Sequence, residues 1–366
     1  MSLLKIENVK TRERFVRFEY ILTILFVLLM VIGYFAVKSS TLNSYLEGTE
    51  QRQLFFYIIG SISFFIILFL PERTIKTLIP TLFFVLFFLL IAVLIIGDET
   101  KGARRWLNIG TFGIQPSEFF KLSLILYLSK VLSDNSKTNY YLVSLITIMS
   151  AGLIYLEPDL GTTLIIIMIW FVFTFLSGKF EVLWRIILFS GAALAPLAFL
   201  IMEDYQRGRI IGFMFPNLYS DFSYNTTQSI RAIASGGITG TGYMNGYMNL
   251  GNFVPEDHTD FIISVIGEEF GFIGIFSIIF TYFLIIWRLY RGYKMSYDIF
   301  WKYFYAGASF LIFFHVFENI GMNLGIMPVT GIPLPMISNG GSTIITYSLL
   351  LGLAVKGMML NKNLKR

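Results

Sequence analysis

Residues 77–96 read TLIPTLFFVLFFLLIAVLII, a run with no charged side chain. At a rise of about 1.5 Å per residue such a helix covers about 30 Å, the hydrocarbon thickness of a bilayer. Backbone N–H and C=O groups find no water in that layer, and a helix satisfies them within itself. A transmembrane strand would alternate apolar and polar positions over about ten residues, and this run does not. Comparable runs lie at 19–37, 53–70, 116–132, 140–155, 160–176, 183–202, 260–287, 300–326 and 341–359. The pattern predicts an all-α polytopic membrane protein of about ten spans.

The rest of the composition agrees. Of 366 residues, 55% are hydrophobic and 14% charged, and there are 38 Phe and 20 Tyr. That is more apolar surface than a soluble core can hide, so much of it must face lipid. With no cysteine, disulfides and thiolate metal sites are excluded, and two histidines, His258 and His315, argue against a multi-histidine metal centre.

The formal charge of +5 is spread over short loops, which reads as membrane topology and not as a nucleic-acid surface. Most Lys and Arg fall in the termini and the even-numbered loops, placing both termini in the cytoplasm, with 1–18 as a basic N-terminal tail. No small-residue cleavage site follows the first apolar run, which reads as a retained helix. Lys101, Arg104 and Arg105 break the charge bias and so call for another role. Residues 203–259, between the seventh and eighth spans, form a long extracytoplasmic loop, and loops of that length are usually functional.

Ionisable residues at membrane depth are costly unless paired or solvated, so they mark candidate sites. Glu118 and Lys121 sit one turn apart after Pro116, as a structural ion pair, a polar cavity wall, or both. Asp159 can cap the sixth span or face a cavity. Asp260 is read as opening the eighth span, with Ser264, Gly267, Glu268 and Gly271 continuing a polar stripe on its face; an N-cap is its bland alternative. Glu268 and Glu269 lie too deep to be caps. Arg207, Arg209 and Arg231 carry forks suited to phosphate, or are solvated loop charges. His258 can orient its loop, and His315, near Glu318 and Asn319, is read as packing. Residues 327–342 hold Pro328, Pro333 and Pro335 among glycines, which forbids a continuous helix and predicts a re-entrant or surface-lying segment.

Taken in order, several of these runs resemble the SEDS family (shape, elongation, division and sporulation). They are Lys101-Gly102-Ala103-Arg104-Arg105-Trp106-Leu107, Gln115-Pro116-Ser117-Glu118 with Lys121, and Pro158-Asp159-Leu160-Gly161. Tyr205-Gln206-Arg207 with Arg209, and Gln228-Ser229 with Arg231, Ala232 and Ser235-Gly236-Gly237, come next. The strongest is Pro255-Glu256-Asp257-His258-Thr259-Asp260-Phe261 with Gly267-Glu268-Glu269. Asn319-Ile320-Gly321-Met322 followed by Pro328 to Pro335 is similar to the elongation-type member more than the division-type one. Asn339 departs from the family, which commonly has Tyr there.

The resemblance implies one domain over 1–366 and a peptidoglycan glycosyltransferase that polymerises lipid II at the outer face of the bacterial cytoplasmic membrane. It also implies a class B penicillin-binding transpeptidase as partner, alongside other elongation-complex proteins and membrane lipids. The aspartate matching Asp260 is the family's essential acid. With it we expect Arg105, Lys121, Arg207, Arg209, Gln228 and Arg231 to contact substrate pyrophosphate, and Lys101, Glu118, Asp159, Glu268 and Ser338 to line the cavity. A divalent cation, Mg²⁺ or Mn²⁺, bridging Asp260 and the substrate pyrophosphate is a further expectation. The rival from another class is a transporter that flips lipid II, which Glu268 and Glu269 keep open; a scaffold without catalysis is the third.

Overall fold

A computed structural model describes residues 19–42, 46–100, 103–109, 112–178 and 202–364, with isolated positions between 185 and 200. The predicted tail at 1–18 and nearly all of the seventh span lie outside the described residues. The helices are α1 Tyr20–Ser40, α2 Thr49–Phe69, α3 Glu72–Ile96, α4 Pro116–Ser133, α5 Lys137–Leu156 and α6 Leu160–Ser177. After them come α7 Asp204–Met214, α8 Ser220–Gly236, the single turn α9 Tyr247–Leu250, α10 Ile262–Met295, α11 Ile299–Asn323 and α12 Gly341–Leu364. Among the described residues, eight helices are long and apolar enough to cross a membrane, so the all-α polytopic reading holds.

The lipid-facing sides are apolar: Phe272, Phe276, Phe280 and Phe283 stack down the outer face of α10. In the middle stands α4, packed by α3, α6, α11 and α12. Nearly all its residues are buried, Glu118 and Lys121 included. Surrounded by protein on every side, it can carry charge at depth where α1 or α3 could not.

Three features were not anticipated. Residues 98–114 form a small antiparallel sheet, β1 Asp98–Thr100, β2 Ala103–Ile109 and β3 Phe112–Ile114, in sequence order, instead of an irregular connection. The long loop at 203–259 is largely ordered as α7, α8 and α9. Short polar helices escape a search for apolar runs of spanning length.

The third is a break in α10. Gly271 has φ +63° and ψ −158°, which interrupts the helix, and residues 236–242 insert into the gap. There the N–H groups of Phe272 and Ile273 donate to Gly237 O and Ile238 O at 2.9 and 3.2 Å. Carbonyls of Glu268 and Glu269 accept from the N–H groups of Thr241 and Gly242, each at 3.0 Å. Two N–H groups and two carbonyls beside the break thus meet backbone partners, as the low-dielectric setting demands. A Cβ at Gly240 would come 2.1 Å from Glu269 O, so only glycine admits this close approach.

The proline-rich segment has no regular structure, as its prolines and glycines predict, and side chains from surrounding helices take its carbonyls. Arg209 Nη1 donates to Val329 O at 3.1 Å and Asn319 Nδ2 to Ile332 O at 2.8 Å. Tyr282 OH donates to Pro335 O, Tyr57 OH to Met336 O at 2.7 Å and Gln53 Nε2 to Ile337 O at 3.1 Å. Non-helical backbone is tolerated here because surrounding protein satisfies its carbonyls.

Candidate active site

Asp260 stands at the end of a tight turn. Pro255 to Phe261 wrap around one carbonyl, Glu256 O, which accepts the N–H groups of Thr259, Asp260 and Phe261 at 3.1–3.2 Å. Glu256 adopts φ +58° to make this possible. The helix starts only at Ile262, and Phe261 holds the N-cap position with no side-chain cap. This corrects the expectation that Asp260 opens the helix and removes the N-cap alternative for it.

The half-buried Asp260 carboxylate meets Arg209 across Gly331. A Cβ built on Gly331 would lie 3.4 Å from Asp260 Oδ2 and 3.7 Å from Arg209 Nη1, so both charged groups converge on one bare stretch of backbone. Gly331, at φ +77°, leaves that space open. Arg209 is steered there from three sides: its guanidinium lies 4.3 Å from the Tyr205 ring centre, donates to Val329 O, and feels the charge of Asp260. Burial pulls its pKa down while Asp260 pushes it back up, and a guanidinium stays cationic under such a balance.

Two clefts open on either side of Arg209. One, of about 130 Å³, is lined by Pro158, Tyr205, Gln206, Arg209 and Thr330; the other, of about 100 Å³, by Arg209, Phe222, Thr226, Ile230 and Pro328. Asp159 and Arg105 border this region. Asp159 caps α6, accepting from Thr162 N at 3.0 Å and Thr162 Oγ1 at 2.9 Å, and its charge also reaches Arg209. Arg105 donates from Nε to Glu157 O at 2.8 Å and from Nη2 to Pro158 O, tying β2 to the turn before α6. Burial in that turn pushes the Glu157 carboxyl up to about 8, with Asp159 adding to the rise and Arg105 opposing it.

Ser338 joins the two loops: its hydroxyl donates to Thr259 O and accepts from Leu334 N at 2.9 Å, while Asn339 N donates to His258 O at 3.0 Å. His258 also faces the buried Asp257, 3.7 Å away. Burial raises Asp257's pKa and His258 lowers it.

The other expected residues are placed elsewhere. Glu118 and Lys121 pair at 2.7 Å inside α4, and Lys121 Nζ lies 3.2 Å from His315 Nε2, so this ion pair is nearly sealed from the clefts. Arg207 pairs at 2.6 Å with the exposed Asp204 on its own helix, and Arg231 is exposed on α8. Gln228 is buried in α8. Glu268 is bound to the loop before α10: Oε1 accepts from Met248 N at 2.7 Å and Oε2 from Asn249 N at 3.0 Å. Glu269 accepts from Ser39 Oγ and from Asn249 Nδ2. The two carboxylates therefore hold the 241–250 loop, which is a correction to Glu268 as a cavity-lining group. Lys101 lies outside the described residues.

The sequence reading missed Gly331, whose lack of a side chain opens the site, and Asn319 and Asn323. Their i, i+4 spacing at the end of a span, on one helical face, was the available signal.

The family described as "Cell cycle protein", FTSW_RODA_SPOVE, matches residues 14–362. The peptidoglycan glycosyltransferase MrdB of Escherichia coli (strain K12) is 32% identical over 356 residues, covering 93% of this chain and 95% of that protein. The probable peptidoglycan glycosyltransferase FtsW of Francisella salina is 32% identical over 381 residues, covering 98% and 94%. Among solved structures, the rod shape determining protein RodA of Thermus thermophilus superimposes with a TM-score of 0.70 at 28% identity, covering 94% of this chain and 97% of that one. A chain from a peptidoglycan synthase complex, in a study of how polymerization and crosslinking are coordinated, reaches 0.78 at 29% identity, covering 94% and 98%. With the family matched over residues 14–362 and relatives 32% identical over more than nine-tenths of their length, the chain belongs to the FtsW/RodA/SpoVE family of cell cycle proteins, the SEDS family.

Proposed function

We infer that this chain is a peptidoglycan glycosyltransferase of the elongation type, polymerising lipid II at the outer face of the cytoplasmic membrane with both termini in the cytoplasm. The observation that carries the chemistry is the approach of Asp260 and Arg209 across Gly331. A sugar hydroxyl attacks an anomeric carbon, its proton passes to the Asp260 carboxylate, and the bond from that carbon to the lipid pyrophosphate breaks. General-base help of this kind contributes about 10²–10⁴-fold. Negative charge grows on the departing pyrophosphate, and Arg209, fixed against Tyr205 and Val329 O, is already oriented to receive it. Partial removal from water strengthens that interaction.

The ranking of the arginines follows from their surroundings. Arg209 is the pyrophosphate contact, Arg105 shapes the wall beside it, and Arg207 and Arg231 act on the approach of the anionic headgroup. Glu268 and Glu269, whose depth kept a transporter in view, are engaged with Met248, Asn249 and Ser39, and that support for a flippase is gone.

The expected divalent cation finds no protein cage: among the described residues no group of three or more His, Asp or Glu side chains could hold one. Asp260 alone does not make a metal site, and a cation at this place would arrive with the pyrophosphate oxygens.

A class B penicillin-binding protein is the partner we propose, since polymerised strands need crosslinking and a solved relative belongs to a complex coordinating both. The test is polymerisation of labelled lipid II by the purified chain with that partner, wild type against Asp260→Asn. Strands from wild type and none from an equally folded variant are expected. Lipid II crossing proteoliposomes without polymer would overturn the enzyme reading.

A further inference from the structure

The carbonyl oxygen of Asp260 receives two side-chain amides. Asn319 Nδ2 donates to it at 2.9 Å and Asn323 Nδ2 at 3.0 Å, both from one face of α11. Each amide spends its second hydrogen on another carbonyl: Asn319 on Ile332 O at 2.8 Å, Asn323 on its own helix at Asn319 O, also 2.8 Å. Both side chains are fully buried. The Asn323 amide is held in turn by Ser229 of α8, whose hydroxyl donates to Asn323 Oδ1 at 3.1 Å and lies 3.0 Å from Asn323 O.

This geometry is more than loop anchoring. A carbonyl oxygen has two lone pairs, and here both are occupied by donors from a rigid helix, which fixes the Asp260 backbone in position and in rotation. Asn319 also bonds Ile332 O, one residue beyond Gly331, where the Asp260 carboxylate and the Arg209 guanidinium converge. One amide therefore sets the distance between the backbone that carries the base and the backbone over which the reaction takes place.

We propose that Asn319 and Asn323 are positioning residues for the glycosyl transfer: a two-amide clamp on the Asp260 carbonyl that aims its carboxylate at the Gly331 surface, with Ser229 holding the clamp in register. This rests on the glycosyltransferase reading above. The clamp touches the main chain and not the carboxylate or the substrate, so its removal leaves lipid II binding intact and displaces the proton acceptor. A displacement of about 1 Å at a reacting group costs about 100-fold in rate.

The experiment compares Asn319→Ala, Asn323→Ala and Ser229→Ala with wild type and Asp260→Asn in the full chain with its transpeptidase partner. It reads kcat and KM for lipid II and the melting temperature in detergent. Each single Asn variant leaves one donor on the Asp260 carbonyl, so the chain still folds, and Ser229→Ala perturbs the clamp without emptying it. Expected are a fall in kcat of about 100-fold for the Asn variants and a smaller one for Ser229→Ala, with KM changed by less than about threefold. A merely structural role would instead lower the melting temperature and the amount of folded protein, leaving kcat per folded molecule unchanged, and that result overturns the clamp. If Asp260→Asn is inactive while the Asn variants keep wild-type kcat, the clamp falls and the base stands. If wild type makes no polymer, or Asp260→Asn matches it, the glycosyltransferase reading falls and takes the clamp with it.

Discussion

The carboxylate of Glu268 bridges two consecutive backbone donors, Met248 N on one oxygen and Asn249 N on the other, at 2.7 and 3.0 Å. A carboxylate from a broken membrane helix thus caps a one-turn helix in the loop that precedes it. Glu268→Gln keeps one acceptor and turns an amide toward the second N–H. We expect a loss of about 1.5–3 kcal/mol, the worth of a hydrogen bond to a charged group. The variant's melting temperature should fall and protease should cut within 241–252 sooner. Unchanged stability with abolished polymerisation would instead give Glu268 a direct part in the reaction.

The two arginines of α7 should separate sharply. Arg209→Ala removes the guanidinium that the structure stacks on Tyr205 and ties to Val329 O, and should lower kcat by about 10²–10³-fold. Arg209→Lys cannot stack as a planar group while donating to the carbonyl, and should recover little. Arg207→Ala breaks an exposed pair with Asp204, worth about 0–1 kcal/mol, and should change kcat/KM by no more than a few-fold. Equal losses at both positions would show that bulk charge, not the seat of Arg209, governs the site.

The break in α10 makes a steric prediction. Gly240→Ala would drive a methyl group to 2.1 Å from Glu269 O, into backbone that cannot yield, and should prevent stable folding. Gly178 also has positive φ, +60°, but no atom within 4 Å of an added Cβ, so Gly178→Ala should cost only the left-handed penalty of about 1–2 kcal/mol. Thermal melts of both variants check the contrast.

Glu157 gives a pH dependence with a definite sign. Its folded value, about 8, lies above the ordinary 4.5, so the folded chain holds the proton more tightly. The stability this contributes is complete below about 4.5 and is lost as pH rises to about 8. The melting temperature should decline across that window, and Glu157→Gln, neutral at every pH, should flatten the decline. An unaltered slope would mean that the carboxyl is ionised in the turn.

The spans were legible because hydrophobic length is a one-dimensional property: α3 or α5 can be read without knowing a neighbour. Asp260 and Arg209 were legible as residue types in a recognisable order, and the proline spacing announced the re-entrant segment. What escaped depends on juxtaposition. Glu268 and Asp260 are close in sequence and would share a face on an unbroken helix from 260 onward, but the helix starts later and its two acids turn toward a loop that returns from upstream. Asn319 is opposite in kind: ordinary in its helix, and informative only once the carbonyls of Asp260 and Ile332 arrive beside it.

The proline-rich floor beneath Asp260 and Arg209 has consequences for how the bundle communicates with the proposed site. Five of its carbonyls are gripped by α2, α7, α10 and α11, while Leu334 O accepts from within the segment, from the N–H groups of Ile337 and Ser338. A sheet or helix in that place would keep its own shape when neighbours shift. Outside its one internal turn this segment is held from without, so its contour records the relative positions of four separate helices. A tilt in one of them, however far from Asp260 it is imposed, arrives at the backbone around Gly331 as a displaced anchor.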